Sequence, residues 1–280
     1  ADNIRILAAS MVEKANSGHP GGAMGGADFV NVLFSEFLIY DPKNPKWEGR
    51  DRFFLDPGHM SPMLYSVLAL SGKFTLDELQ QFRQWGSVTP GHPEVDVMRG
   101  IENTSGPLGQ GHTYAVGAAI AAKFLKARLG EEVMNQTIYA YISDGGIQEE
   151  ISQGAGRIAG TLGLDNLIMF YDANNVQLST KVEDVDVENV AMKYEDWDVN
   201  EIRKALKEAK AEISKPTLII GNTVMGKGAV GADNSCYENK VSTHGQPLSA
   251  AGASIADTIK NLGGDPEHPF AILPEVAELY

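Results

Sequence analysis

The feature that most constrains the fold is the regular alternation of apolar strands and helices in the second half of the chain. The pattern predicts strands at Thr137–Ile142, Asn166–Tyr171 and Thr217–Gly221, with helices at Ile147–Leu162 and Val199–Ile213. Apolar strands separated by helices are typical of a parallel sheet with helices on both faces. The sequence therefore predicts an α/β fold in which a parallel sheet is sandwiched by helices.

The first half of the chain is less regular and ends in a long polar loop. Gly86–Gly111 contains six glycines and three prolines, and a loop of that length inside a compact domain is usually functional. Before it, the pattern predicts a strand at Arg52–Leu55 and helices at Ile4–Ala15, Gly26–Phe37, Ser61–Leu70 and Leu76–Gln84.

Charge and cysteine content exclude several classes of function. The formal net charge is −14, so the field of the whole chain repels nucleic acid and anionic membranes. No apolar stretch has the length needed to cross a bilayer. The one cysteine, Cys236, excludes an internal disulfide and a cysteine-cluster metal site, and it favours a reducing, cytoplasmic location. A phosphate-containing ligand would need local help from a metal ion, helix N-termini or histidines.

Two polar segments follow consecutive predicted strands, and ligands of parallel sheets bind beyond the carboxyl ends of the strands. These segments are Ser143–Gly146 and Asp172–Val176, and we expect them to face one another. Asp144 supplies the hard oxygen that Mg²⁺ prefers, and Asn174 supplies a neutral amide oxygen.

The carbonyl of Val176 would complete such a metal site, and Gly145 would let the backbone approach a phosphate closely. The alternative interpretation is structural: Asp144 and Asn174 are ordinary residues that cap a helix and close a turn. Residue types alone leave both interpretations open.

Histidines recur beside glycine in the predicted loops. A single loop histidine is more often a packing or surface residue, but several in glycine-rich loops favour phosphate binding or proton transfer. The histidines beside glycine are His19, His59, His92, His112 and His244.

The order of these motifs resembles one enzyme family. Ser143-Asp144-Gly145, followed thirty residues after Asp144 by Asn174, is similar to the thiamine diphosphate signature, with Ser143 in place of its first glycine. Along its whole length the chain resembles the N-terminal domain of transketolase. The other motifs that carry this resemblance are Ser17–Gly21, Arg50–Phe53, Gly58-His59, Thr89–Glu94, Ser105–Gly111 and His244–Leu248.

The resemblance implies a cofactor, thiamine diphosphate with Mg²⁺ (or Ca²⁺ in its place), and a role for each matching residue. The implied metal ligands are Asp144, Asn174 and Val176. The residues implied to bind the rest of the cofactor are Gly145, His59 and His244 at the diphosphate, with Gly106, Pro107 and Leu108 beside the rings.

The resemblance also implies substrate contacts. His19 would lie beside the acceptor aldehyde, His92 would contact hydroxyls of the donor ketose, and His244 would also lie near the substrate. Glu149 matches a family glutamate that links the two cofactors of a dimer. His112 keeps its interpretation as a packing residue, and we expect His268 on the surface.

The implied activity is transfer of a two-carbon ketol unit between sugar phosphates, in the pentose phosphate pathway. Residues 1–280 would form the diphosphate-binding domain only. The family's pyrimidine-binding and C-terminal domains would come from a second subunit or a missing part of the chain, in a homo- or hetero-oligomer. Without them, we expect the chain to be inactive.

Two alternatives remain. The first keeps the cofactor and changes the acceptor, as in dihydroxyacetone synthase; the second is a non-catalytic binding subunit with the same fold. One departure from the family pattern lies at Met192–Ile202, where the segment is shorter than usual, as if a strand were lost.

Overall fold

The computed structural model describes residues 1–177, 180–182 and 198–280. Its centre is a four-stranded parallel sheet in the order β1-β2-β3-β4. In the pairing of β2 with β3, Ser143 lies opposite Asp172, so these two strands end side by side. The predicted α/β fold is confirmed. The strands are β1 Arg52–Leu55, β2 Ile138–Ser143, β3 Leu167–Asp172 and β4 Thr217–Gly221.

Helices cover both faces of the sheet, and the helix that follows the long glycine-rich loop has twenty residues. In chain order, the α-helices of the described residues are α1 Asp2–Ala15, α2 Pro20–Gly25, α3 Ala27–Val32, α4 Ser61–Leu70, α5 Leu76–Leu79, α6 Gln110–Leu129, α7 Asp144–Gln148, α8 Glu150–Leu162, α9 Val199–Ala211, α10 Ile255–Asn261 and α11 Pro274–Leu279.

Strand β2 divides the core into two clusters, because successive side chains of a strand point to opposite faces. Tyr139 and Tyr141 belong to the larger cluster, which includes side chains of α1, α3, α4 and α9. Ile138 and Ala140 belong to the smaller cluster, with alanines of α6 and α8. Every residue of β2 is buried, which explains its continuous apolar sequence.

Several predicted helices differ from those observed. The predicted helix Gly26–Phe37 contains α3 followed by a π-helical turn, and the predicted helix Leu76–Gln84 ends at Leu79. The predicted helix Ile147–Leu162 divides at Glu149, whose backbone is extended. These interruptions arise from local backbone conformation, which apolar spacing does not reveal.

The sequence did not predict α6. Its buried positions are small residues such as Ala115 and Ala119, while Tyr114 and Phe124 are exposed. The usual amphipathic pattern of large apolar residues inside and polar ones outside is therefore absent.

Two further predictions concern membrane-spanning helices and the segment Met192–Ile202. In the described ranges, no helix is long and apolar enough to cross a membrane. Most of the shortened segment, through Trp197, lies outside the described residues. The part that is described begins at Asp198, whose carboxylate caps α9 by accepting hydrogen bonds from the backbone N–H groups of Asn200 and Glu201.

Candidate functional site

A cavity of about 530 Å³ lies beyond the carboxyl ends of β2 and β3, where the parallel-sheet rule predicts a ligand site. It brings together residues from distant parts of the sequence, and all but one of the predicted site residues line it. The exception is Pro107. Its lining residues are His19, Gly22, His59, Met60, His92, Gly106, Leu108, Ser143, Asp144, Gly145, Gln148, Glu149, Asn174, Val176, Gln177, Met225 and His244.

The two predicted strand-end segments do meet. Asp144 begins α7, and its carboxylate accepts hydrogen bonds from the backbone N–H groups of Asn174 and Asn175 at 3.2 and 3.0 Å. The hydroxyl of Tyr171 donates a third hydrogen bond to it at 2.6 Å. Ser143 has an extended backbone, φ −108° and ψ 176°, so this position does not require the glycine of the family signature.

Asp144 is buried, and burial raises the pKa of its carboxyl group to about 7. The charge of Asp172 raises the pKa further, while the hydrogen bonds from Tyr171 and from the backbone oppose the shift. A divalent cation beside Asp144 would favour its ionised form and lower this pKa. The described residues contain no cluster of three or more His, Cys, Asp or Glu side chains placed to hold a metal. A metal here would therefore rely on amide, carbonyl and ligand oxygens as well.

Asn174 forms the kind of turn that the structural interpretation predicts. Its side-chain oxygen accepts a hydrogen bond from the backbone N–H of Val176 at 3.0 Å, and its Nδ2 donates to Asp172 at 3.1 Å. Asp172 is fully buried and also accepts hydrogen bonds from Tyr141, at 2.7 Å, and from Thr223. This network fixes the amide orientation of Asn174. A carbonyl oxygen has two lone pairs, so the turn leaves acceptor capacity for a metal.

His19, His59 and His244 form a cluster on the cavity wall, although they come from three separate loops. Their ring centroids lie 5.0 to 5.7 Å apart. The Nδ1 atoms of His19 and His244 are buried and have no hydrogen-bond partner among the described residues. Buried polar atoms normally have partners, so these two nitrogens indicate a missing ligand.

Burial keeps the clustered imidazoles neutral. It lowers the pKa of His19 to about 4, with further lowering by His244, Arg83 and His92. Burial and the neighbouring histidines lower the pKa of His59 well below its ordinary value, and burial lowers that of His244. A neutral imidazole can both donate and accept a hydrogen bond, which suits contact with a diphosphate or transfer of a proton.

The sequence did not indicate Asp56, which organises the glycine-rich loop beside the cavity. Its buried carboxylate accepts hydrogen bonds from the backbone N–H groups of Gly109, at 3.0 Å, and His112, at 3.3 Å. Its carbonyl accepts a hydrogen bond from Ser105 at 2.7 Å. An acidic residue directly after a strand and opposite a Gly-rich loop is the signal that could have identified it.

The predicted ring-binding residues occupy this loop. A side chain at Gly106 would meet no protein atom within 4 Å, so the backbone there faces open space. Gly145 packs closely against Leu108, because an added Cβ would lie 2.8 Å from its Cδ1 atom. Glu149, at the N-cap of α8, is exposed on the cavity rim.

The remaining histidines lie where packing and surface residues are expected. His112 is 2% exposed, and neither ring nitrogen has a hydrogen-bond partner in ranges 1–177, 180–182 and 198–280. It does not line the cavity. His268 is exposed.

Comparisons with known proteins identify the family. The family model described as transketolase, thiamine diphosphate binding domain, matches residues 1–280. The transketolase of Geobacillus stearothermophilus is 43% identical over 270 residues, which are 90% of this chain and 39% of that protein.

Solved structures of transketolases are also similar to this chain. The transketolase of Campylobacter jejuni superimposes with a TM-score of 0.88 at 41% identity, over 99% of this chain and 45% of that one. A transketolase of Pichia stipitis in complex with sedoheptulose-7-phosphate gives a TM-score of 0.90 at 36% identity, over 99% and 42%. The chain thus spans about two fifths of the length of the relatives that it matches. It belongs to the transketolase family and corresponds to the N-terminal, thiamine diphosphate-binding domain of that family.

Proposed function

We propose that this domain holds the diphosphate end of thiamine diphosphate, with Mg²⁺, as one half of an active site that transfers a two-carbon ketol unit. One observation carries the proposal: a single cavity joins the Asp144–Asn174 pair to a histidine cluster in which two buried nitrogens lack partners within the described part of the chain. A metal-bound diphosphate supplies the oxygen acceptors and the positive charge that these groups need.

The residues present fit such a cofactor in three respects. His19 and His244 each have a buried nitrogen that no described residue hydrogen-bonds. Asp144 has a carboxyl group whose charge is disfavoured by burial, which a cation would offset. Gly106 leaves open space where any other residue would place a side chain.

In the proposed complex, Asp144, Asn174 and the Val176 carbonyl bind the metal, while His59, His244 and the Gly145 backbone contact the diphosphate. The Gly106–Leu108 segment contacts the rings. When bound, the cofactor would supply the nucleophilic carbon and the electron sink that transfer of a ketol unit requires.

The histidines of the chain would handle protons and hydroxyl groups of the substrate. His19 and His244 are neutral in the free protein, so each can accept a proton at a ring nitrogen or hold one for donation. His92 lies on the same cavity wall and would hydrogen-bond sugar hydroxyls.

The substrates and the partner are part of the proposal. A related structure contains sedoheptulose-7-phosphate, which favours sugar phosphates and the pentose phosphate pathway. Because the relatives are more than twice as long, we propose that a pyrimidine-binding half completes the site in a homo- or hetero-oligomer. A cytoplasmic location rests on the single cysteine.

The test is isothermal titration of the domain with thiamine diphosphate in the presence and absence of Mg²⁺. We expect Mg²⁺-dependent binding that Asp144→Ala weakens at least tenfold, because it removes the only carboxylate among the proposed ligands. The matched control is Asp165→Ala, which removes a partly exposed carboxylate paired with Lys123, just before the amino end of β3. That variant should bind like the wild type.

Equal binding by wild type and Asp144→Ala would contradict the metal site. Activity is tested separately, by adding the remaining half of a related transketolase. Ketol transfer that appears only in the mixture supports an enzyme half. Cofactor binding without transfer would favour the non-catalytic subunit.

A further inference from the structure

His19 and His92 lie on different loops. The first loop follows α1, and the second is held by hydrogen bonds from α4. Helix α1 ends at Asn16, whose φ of 48° is left-handed, and the chain then turns through Ser17 into His19. The loop that carries His92 is held by α4, where Ser61 and Tyr65 donate hydrogen bonds to the carbonyls of Gly91, at 2.7 Å, and Pro90, at 2.9 Å.

Arg83 contacts both loops. Its Nη1 donates a hydrogen bond to the hydroxyl of Ser17 at 2.8 Å, and its backbone N–H donates to the carbonyl of Thr89 at 3.0 Å. Its guanidinium also packs against Gly91, where an added Cβ would lie 2.6 Å from Nε. One side chain therefore links the residue two before His19 to the residue just before His92.

The conformation of Arg83 indicates that this position is strongly specified. Its φ is 61°, in the left-handed region that side chains other than glycine and asparagine rarely adopt. Its Nε is buried, and none of the residues that the structure describes accepts a hydrogen bond from it. In the described part of the chain no carboxylate forms a salt bridge with it, and burial lowers the pKa of the guanidinium. A strained, partly desolvated cation costs stability, which points to a role for Arg83 other than stabilising the fold.

The positive charge of Arg83 acts on the cavity histidines. It lowers the pKa of His19, His59 and His92, in each case after burial as the main cause. The other titratable groups that face His19 are His59, His92 and His244, and among the described residues Arg83 is the permanently charged cation that acts on His19.

We propose that Arg83 is a positioning residue that ties the Ser17–His19 loop to the Thr89–His92 loop and so sets both imidazoles on the cavity wall. The inference rests on the proposed function only in taking His19 and His92 as substrate-contacting groups. Its physical content is a hydrogen bond, a packing contact and a fixed charge.

The test follows the ring signals and pH titration of His19 and His92 by NMR, with assignments from single His→Gln variants and without cofactor. Arg83→Met keeps an unbranched stem over Phe82 and removes the charge and the hydrogen bond. We expect the pKa values of both imidazoles to shift upward and their ring signals to move. Arg83→Lys keeps the charge and should leave both pKa values near those of the wild type.

The matched control is Arg99→Met. Arg99 lies over the ring of Phe74 much as Arg83 lies over Phe82, but its guanidinium pairs with the carboxylates of Glu78 and Asp96. It should leave both histidines unchanged. Ser17→Ala removes only the acceptor of the hydrogen bond, so it should move the ring signals of His19 while the charge stays in place.

Unchanged ring signals and pKa values for His19 and His92 in a folded Arg83→Met protein would overturn the proposal. If that variant does not fold, Ser17→Ala decides, and unmoved His19 signals in that variant would likewise overturn it. A failure of thiamine diphosphate to bind counts against the proposed function and leaves this result intact, because the titration uses the free domain.

Discussion

At the scale of single residues, the site contains titratable groups whose charged forms are disfavoured by burial. Asp144 has a carboxyl pKa raised to about 7, and the pKa of His19 is lowered to about 4, in both cases mainly by burial. Such perturbed groups gathered in one cavity are typical of functional sites. The sequence indicated both residues through family motifs, but it could not indicate their burial, which depends on the surrounding loops.

The raised pKa of Asp144 predicts how the stability of the free domain depends on pH. Because the folded pKa lies above the unfolded value of 3.8, the folded state binds the extra proton. This contribution is fully present below about pH 4 and is lost as pH rises through about 7. As pH rises from 6 to 8, the free energy of unfolding should fall by about 1 kcal/mol more for the wild type than for Asp144→Asn, as measured by urea unfolding.

Adding Mg²⁺ with thiamine diphosphate at pH 8 should restore stability to the wild type and not to Asp144→Asn, because only the carboxylate gains from the cation. A loss with pH that is the same in both proteins would contradict the assignment of the perturbed carboxyl group to Asp144.

His112 predicts the opposite pH dependence, away from the cavity. Burial lowers its pKa from 6.5 to about 4, so the unfolded state binds the proton more readily. Stability is therefore lost as pH falls from about 6.5 towards 4. His112→Leu should therefore raise the free energy of unfolding more at pH 5 than at pH 7. Measured by urea unfolding, the difference between the two gains should be up to about 2 kcal/mol.

The control for this prediction is His268→Leu, in which an exposed histidine is replaced. It should show no comparable difference between the two pH values. An equal gain at pH 5 and pH 7 for His112→Leu would indicate better packing alone and would contradict the role of protonation.

At the scale of elements, Asp56 connects the end of β1 to the glycine-rich loop and to the start of α6. Strand β1 matched its predicted range, and the other strands lay within one residue of theirs, because short apolar runs define them. The path of the loop was not predictable, since the carboxylate that holds it lies 53 residues before Gly109.

We predict that Asp56→Asn lowers the affinity for thiamine diphosphate by tenfold or more and reduces the free energy of unfolding by about 1–3 kcal/mol. The amide replaces one acceptor oxygen with a donor that faces backbone N–H groups. Titration calorimetry and urea unfolding measure the two effects.

Asp51→Asn is the matched control, because Asp51 is also buried and accepts hydrogen bonds from two backbone N–H groups, those of Ile39 and Thr137, at the amino end of β1. It should lose similar stability and keep its affinity. If both variants lost affinity alike, the loop would not depend specifically on Asp56.

At the scale of the whole molecule, the described residues form a four-stranded sheet with a cavity at its edge, and the chain spans about two fifths of the length of its relatives. The motif order predicted the family because six short motifs occur in register along the chain. It did not predict that His19, His59 and His244 lie within 6 Å of one another, because that distance depends on how three separate loops fold together.

The net charge of the whole molecule bears on how an anionic ligand can bind. With a formal net charge of −14, the chain repels anions in general, so the diphosphate binding that we propose would depend on the local site and on a bound cation. The central claim is therefore that the domain binds the cofactor mainly through its metal-bound diphosphate, and that the contacts of Gly106–Leu108 with the rings add little affinity.

The most direct test is a calorimetric comparison of three ligands with the isolated domain: inorganic pyrophosphate with Mg²⁺, thiamine diphosphate with Mg²⁺, and thiamine without the diphosphate. We predict that pyrophosphate binds within about tenfold of thiamine diphosphate, that both require Mg²⁺, and that thiamine alone gives no measurable binding. Binding of thiamine with comparable affinity, or no binding of Mg²⁺-pyrophosphate where thiamine diphosphate binds, would contradict the claim.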